Sequence, residues 1–145
     1  MPEVVKSVLI PYTASEMFDL VDRVEDYPEF LPWCGGTDLH VRDTEITDAT
    51  LYIDYLHIKQ HFSTENHKRY PEEMRLKLKS GPFRHLEGCW RFQQLGEAAC
   101  KIELRLHYEF SSHLLEKVLG PVFSHIANTF VDAFVQRAEQ VYGER

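Results

Sequence analysis

Eight cations fall between residues 57 and 91: Lys59, Lys68, Arg69, Arg75, Lys77, Lys79, Arg84 and Arg91. Four carboxylates share that stretch, so it is positive in a chain whose formal net charge is -7. Residues 1–56, by contrast, hold three Lys/Arg against twelve Asp/Glu. Cations projecting from one face neutralise phosphates, and affinity grows with the number neutralised. Arg75, Lys77 and Lys79 alternate with Met74, Leu76 and Leu78, which places the three charges on one strand face. Lys59, Lys68, Arg69, Arg75, Lys77, Lys79 and Arg91 are therefore the predicted surface for an anionic partner. The same charges also suit an ordinary solvated face. Only Tyr70 and His85 are interleaved among them, which gives little for bases to stack on. The acidic balance of the rest argues against nucleic acid covering the whole surface.

A second group is apolar. Phe30, Trp33, Phe62, Phe83, Trp90, Phe92, Phe123 and Phe130 fall on predicted inner faces or on loops that cap them. Singly each reads as core packing. Together, with Leu51, Ile53 and Leu76, they predict the lining of a cavity suited to a planar or prenylated ligand. Phe30-Leu31-Pro32-Trp33 and Gly81-Pro82-Phe83 would be its gates.

Constellations for catalysis or metal binding are absent from the sequence. The eight histidines are dispersed, and His57 and His61 lie in strand-like sequence where four residues separate them too widely for a bidentate site. No P-loop, nucleophile elbow or dinucleotide fingerprint occurs. Gly35-Gly36 reads as a turn, and Glu16, Asp19 and Asp22 as a solvated helix face. Cys34, Cys89 and Cys100 are odd in number and scattered, which predicts reduced thiols in a cytosol. A binding protein without a required cofactor is expected, rather than an enzyme. An enzyme is the lowest-ranked alternative.

The elements that must position these groups follow from periodicity. The 145 residues suit one domain, expected to span 1–145. The start predicts no secretory signal, and no apolar run has the roughly 18 residues of a membrane span. Val4 to Ile10 predicts a strand. Thr13-Ala14-Ser15-Glu16 is a capping box that opens a short helix. Two prolines confine residues 27–33 to a broken helical turn. Five alternating runs follow, centred on Leu51, Phe62, Leu76, Trp90 and Leu104, with a weaker strand from about Leu39 to Ile46. Short connections make them an antiparallel meander. From Leu115 to Val141 an apolar stripe recurs near the 3.6-residue period of a helix. Gly120-Pro121 should kink or divide it, and the cavity is expected beside that kink. A stripe this long needs a concave partner, so the predicted class is α+β, a curved antiparallel sheet around a long C-terminal helix.

Pro11-Tyr12-Thr13-Ala14-Ser15-Glu16-Met17-Phe18 and Tyr27-Pro28-Glu29-Phe30-Leu31-Pro32-Trp33-Cys34 resemble the opening of the coenzyme Q-binding START-domain family, a polyketide cyclase/dehydrase-like group. The likeness continues through Gly81-Pro82-Phe83, Leu86-Glu87-Gly88, Trp90-Arg91-Phe92 and Val131-Asp132-Ala133-Phe134, and covers nearly the whole chain. It implies a helix-grip fold with a cavity between sheet and helix. It also implies two roles. Mitochondrial relatives bind ubiquinone and support respiration, whereas a bacterial branch acts as a toxin that binds the large ribosomal subunit and blocks subunit joining. No catalytic set carries over. The expectation is a cytoplasmic protein that binds ubiquinone or a similar polyprenyl lipid, with the large ribosomal subunit as the alternative partner.

Overall fold

The computed structural model describes residues 3–145. Its elements in chain order are β1 (Glu3–Ile10), α1 (Ala14–Asp22), a 3-10 turn (Val24–Asp26), α2 (Tyr27–Phe30), β2 (Cys34–Arg42), β3 (Ile46–Tyr55), β4 (Ile58–Arg69), β5 (Glu73–Ser80), β6 (Phe83–Leu95), β7 (Ala99–Phe110) and α3 (His113–Tyr142). The seven strands form one sheet in the order β1-β7-β6-β5-β4-β3-β2, every neighbouring pair antiparallel. This is the expected α+β helix-grip arrangement.

Alternation decides which residues face the helix. In β7, Cys100, Ile102, Leu104, Leu106, Tyr108 and Phe110 are all buried. Lys101, Glu103, Arg105, His107 and Glu109 take the opposite face. α3 meets this surface with Leu119, Val122, Phe123, Ile126, Ala127, Val131, Phe134 and Ala138. The helix is one continuous element, so Gly120-Pro121 does not divide it. Pro121 falls within the first three turns, where the missing amide forfeits one hydrogen bond and the packed face holds the rest. By length and composition α3 is apolar enough to cross a membrane, but a core helix meets the same test, and one side of α3 is buried against the sheet.

Thr13 caps α1 as predicted. Its hydroxyl accepts from the Glu16 amide at 3.1 Å, and Glu16 accepts from the Thr13 amide at 2.9 Å. Arg145 donates to both Glu16 oxygens at 2.7 and 2.8 Å, which tethers the C-terminus to α1 and lowers the Glu16 pKa to about 2. Gly35-Gly36 belongs to β2 rather than to a turn, with a register shift between Cys34 and Gly36. Glycine tolerates a bulge on an edge strand at little steric cost. Gly81 has φ +144°, and a Cβ there would lie 2.7 Å from Cβ of Phe62, so the β5–β6 turn requires a residue without one.

Candidate functional site

Between the sheet and α3 lies an apolar cavity of about 70 Å³. α1 and the turns after it contribute Val21, Val24 and Tyr27, and the segment before β2 contributes Trp33. The sheet adds Ala49, Leu51, Phe62, Met74, Leu76, Leu86, Trp90, Leu104 and Leu106, and α3 closes the space with Phe123, Ile126, Ala127 and Phe130. Seven of the predicted lining residues are therefore brought together: Trp33, Leu51, Phe62, Leu76, Trp90, Phe123 and Phe130. Their rings interlock. Trp33 stacks on Phe130 with centroids 5.9 Å apart, and Trp90 meets Phe130 at 5.8 Å and Phe134 at 5.5 Å.

Four predicted lining residues lie elsewhere. Ile53 and Phe83 face a separate space of about 10 Å³ near the start of α3. Phe123 borders both spaces. Phe92 is covered by Phe18 of α1, centroids 5.4 Å apart, because α1 crosses that part of β6. Phe30 packs on Tyr27 and Phe134, with the Arg137 guanidinium 5.1 Å above its ring. Filling by these rings reduces the expected ligand cavity to about 70 Å³.

Three polar groups interrupt the apolar wall. Trp33 Nε1 is buried and has no hydrogen-bond partner among the described residues. Thr64 and Asn66 are buried, and the Thr64 hydroxyl donates to the Asn66 side-chain oxygen at 2.9 Å. An unpaired buried donor costs roughly 1–3 kcal/mol, so an acceptor placed against Trp33 would be bound favourably. Thr64 and Asn66 escaped the sequence reading although they share the phase of Phe62, because their polarity disguised an inner-face position. Tyr27 donates to the Val21 carbonyl, and burial pushes its hydroxyl pKa far up. Burial also pushes the Cys100 thiol up to about 11. Neither group is poised to exchange a proton near neutral pH.

The predicted anionic-partner surface divides. Lys68 is not on it. It shares the inner-face phase of Phe62, Thr64 and Asn66, its side chain is 5% exposed, and its ammonium lies 3.0 Å from Asp22. Lys79 projects outward but is held by Asp48 at 2.5 Å. Lys59, Arg69, Arg75, Lys77 and Arg91 are on the outer face, as is Arg84, which pairs with Glu109 at 3.2 Å. Arg69, Arg75 and Arg91 surround Glu73 at 3.8, 3.4 and 3.8 Å.

Sheet, helix and the space between them define a START-like helix-grip fold, and the chain belongs to the polyketide cyclase / dehydrase and lipid transport family, which matches residues 10–135. Within it, the ribosome association toxin RatA of Pseudomonas aeruginosa is 43% identical over 138 residues, spanning 95% of this chain and 96% of that protein. A mitochondrial coenzyme Q-binding protein homolog of Xenopus laevis is 25% identical over 144 residues, or 97% of this chain and 59% of its own length. Among solved structures, a Streptomyces aromatase/cyclase superposes with a TM-score of 0.79 at 14% identity, covering 99% of both chains. That last likeness shows the fold alone.

Proposed function

We propose that this protein associates with the ribosome, binds its large subunit and prevents subunit joining, acting in the cytoplasm as a binding protein rather than an enzyme. The observation that carries the reading is the 43% identity to a ribosome association toxin across nearly the full length of both chains. The small cavity adds weight, because about 70 Å³ is far below the 300–1,000 Å³ of most ligand pockets. The order of the two expected roles is therefore reversed. In a density gradient at low salt, the purified protein is expected to migrate with large subunits and to lower the joined-ribosome peak. Protein that stays at the top of the gradient while joining proceeds normally would sink this reading.

A second reading, binding of a quinone or similar apolar ligand, rests on one observation: the unpartnered Trp33 Nε1 in the cavity wall. A quinone carbonyl is an acceptor, and its ring suits a wall of aromatics. Entry requires side chains or α3 to give way. Trp33 and Trp90 are the two tryptophans of the chain and both line the cavity, so bound quinone would quench both. Titration with a short-chain ubiquinone is expected to give saturable quenching. In Trp33→Phe the remaining Trp90 should report affinity weakened roughly 2- to 10-fold, the worth of one hydrogen bond. Linear, non-saturating quenching in both proteins would exclude quinone binding.

A further inference from the structure

The outer face holds a second, quite different space. An open groove of about 810 Å³ runs beside the start of α1 and the turn after β4, and the Arg69, Arg75 and Arg91 guanidiniums line it together with Lys101. The three arginines converge on Glu73, whose side chain is only 13% exposed, while their own side chains are 73%, 63% and 62% exposed. Strand register fixes this arrangement: Glu73 is the direct cross-strand partner of both Arg69 and Arg91, and Arg75 follows two residues along the same face.

Each guanidinium carries five N–H donors, and Glu73, together with Glu72, to which Arg69 donates at 3.3 Å, occupies few of them. Glu73 therefore orients the trio without consuming it. Burial alone would raise the Glu73 pKa, but the Cys89 hydrogen bond and the guanidiniums of Arg75 and Arg69 outweigh burial and keep it below the usual carboxylate range. Glu72 and Glu103 also line the groove, so its net charge is near neutral and its donors, more than its bulk charge, decide what it takes. A free phosphate would use a small part of such a volume. Gln93 and Ser15 supply further polar groups along it, whereas Gln94 is held by the Ala14 amide and the Gly96 carbonyl. Tyr70 adjoins the groove between Arg69 and Pro71; Phe18 meets its ring edge-on at 4.9 Å, and at 57% exposure part of the ring stays open to an unpaired base.

We infer that this groove binds single-stranded RNA, with the Arg69–Arg75–Arg91 trio gripping consecutive phosphodiesters and Tyr70 stacking a base. Arginine suits the role because its planar fork matches phosphate oxygens. The inference rests on the ribosome reading for its biological setting, and it places that contact in one part of the outer face.

The test is fluorescence anisotropy with a labelled twelve-nucleotide single-stranded RNA across a salt series. Arg75→Ala/Arg91→Ala is expected to weaken binding roughly tenfold or more near 0.1 M salt, and to reduce the log–log salt slope by about 1.4, from about 0.7 per phosphate lost. Tyr70→Ala should lower affinity with little change in slope. Lys117→Ala, which removes an exposed charge from α3, should change neither. The replaced side chains are exposed, but Arg75 and Arg91 neutralise Glu73 and Tyr70 packs on Phe18, so Arg75→Lys/Arg91→Lys, which keeps both charges beside Glu73, is the folded control and should lose less affinity than the alanine pair. Affinity within twofold of the parent for the arginine pair, an equal loss in Lys117→Ala, or displacement of the RNA by inorganic phosphate at micromolar concentration would each overturn the assignment. Sedimentation with large subunits separates the two ideas. If the arginine double variant pellets as well as the parent, the groove assignment fails and ribosome association stands. If the parent binds the RNA but no subunit, ribosome association fails and the groove stands.

Discussion

Asp22→Ala is expected to destabilise the protein by about 3–5 kcal/mol, the usual penalty for stripping the partner from a buried charge. Asp22 ends α1 and gathers three groups from the sheet. Lys68 of β4 approaches to 3.0 Å, the Thr47 hydroxyl of β3 donates at 2.6 Å, and Arg42 of β2 lies 3.8 Å away. Arg42 can turn to Glu25, which it already contacts at 2.6 Å. Lys68 has no such recourse, since its side chain is 5% exposed. The variant would bury an uncompensated ammonium. A folded domain has only about 5–15 kcal/mol in total, so the loss should be plain in urea unfolding as a lower midpoint at unchanged slope. Adding Lys68→Met should restore most of the stability, because an apolar replacement of a buried pair is often neutral. A loss below about 1 kcal/mol in the single variant, or no recovery in the double, would show that water reaches this pair.

Phe123→Ala is the second large effect, expected at about 3–5 kcal/mol for a fully packed aromatic. Phe123 is 4% exposed and meets Tyr108 at 4.6 Å, Phe83 at 5.0 Å and Phe62 at 6.2 Å between ring centroids. It also forms the wall between the larger and smaller spaces under α3. Removing the ring joins them. An apolar void of that kind stays dry and accepts small aromatics, so benzene should raise the melting temperature of Phe123→Ala and leave the parent unmoved. Equal responses in both proteins would mean that the parent already opens this space, and that the helix grips the sheet less firmly than its packing indicates.

These two residues mark what could and could not be read in advance. The hydrophobic stripe containing Phe123 follows from helical spacing, and so does its need for a concave partner. The strand alternations, the capping box at Thr13-Ala14-Ser15-Glu16 and the antiparallel order follow equally from local pattern, since a side chain's face depends only on its position along its own element. Lys68 does not. Its charge suggested solvent, whereas its phase with Phe62, Thr64 and Asn66 placed it inward. Only the docking of α1 across the sheet supplies the carboxylate that makes that placement stable.

The same division runs through the candidate sites. Sequence by itself determined the helix-grip fold, the aromatic inner faces and the cationic middle segment, because each is written in periodicity and composition. Tertiary structure alone decided how much space the aromatics leave, which depends on rings interlocking from four separate elements. It alone decided that Phe92 lies under Phe18, that Lys79 belongs to Asp48, and that Arg69, Arg75 and Arg91 meet around one carboxylate. Cross-strand neighbours are set by register, and register emerges only when the whole sheet closes on its helix.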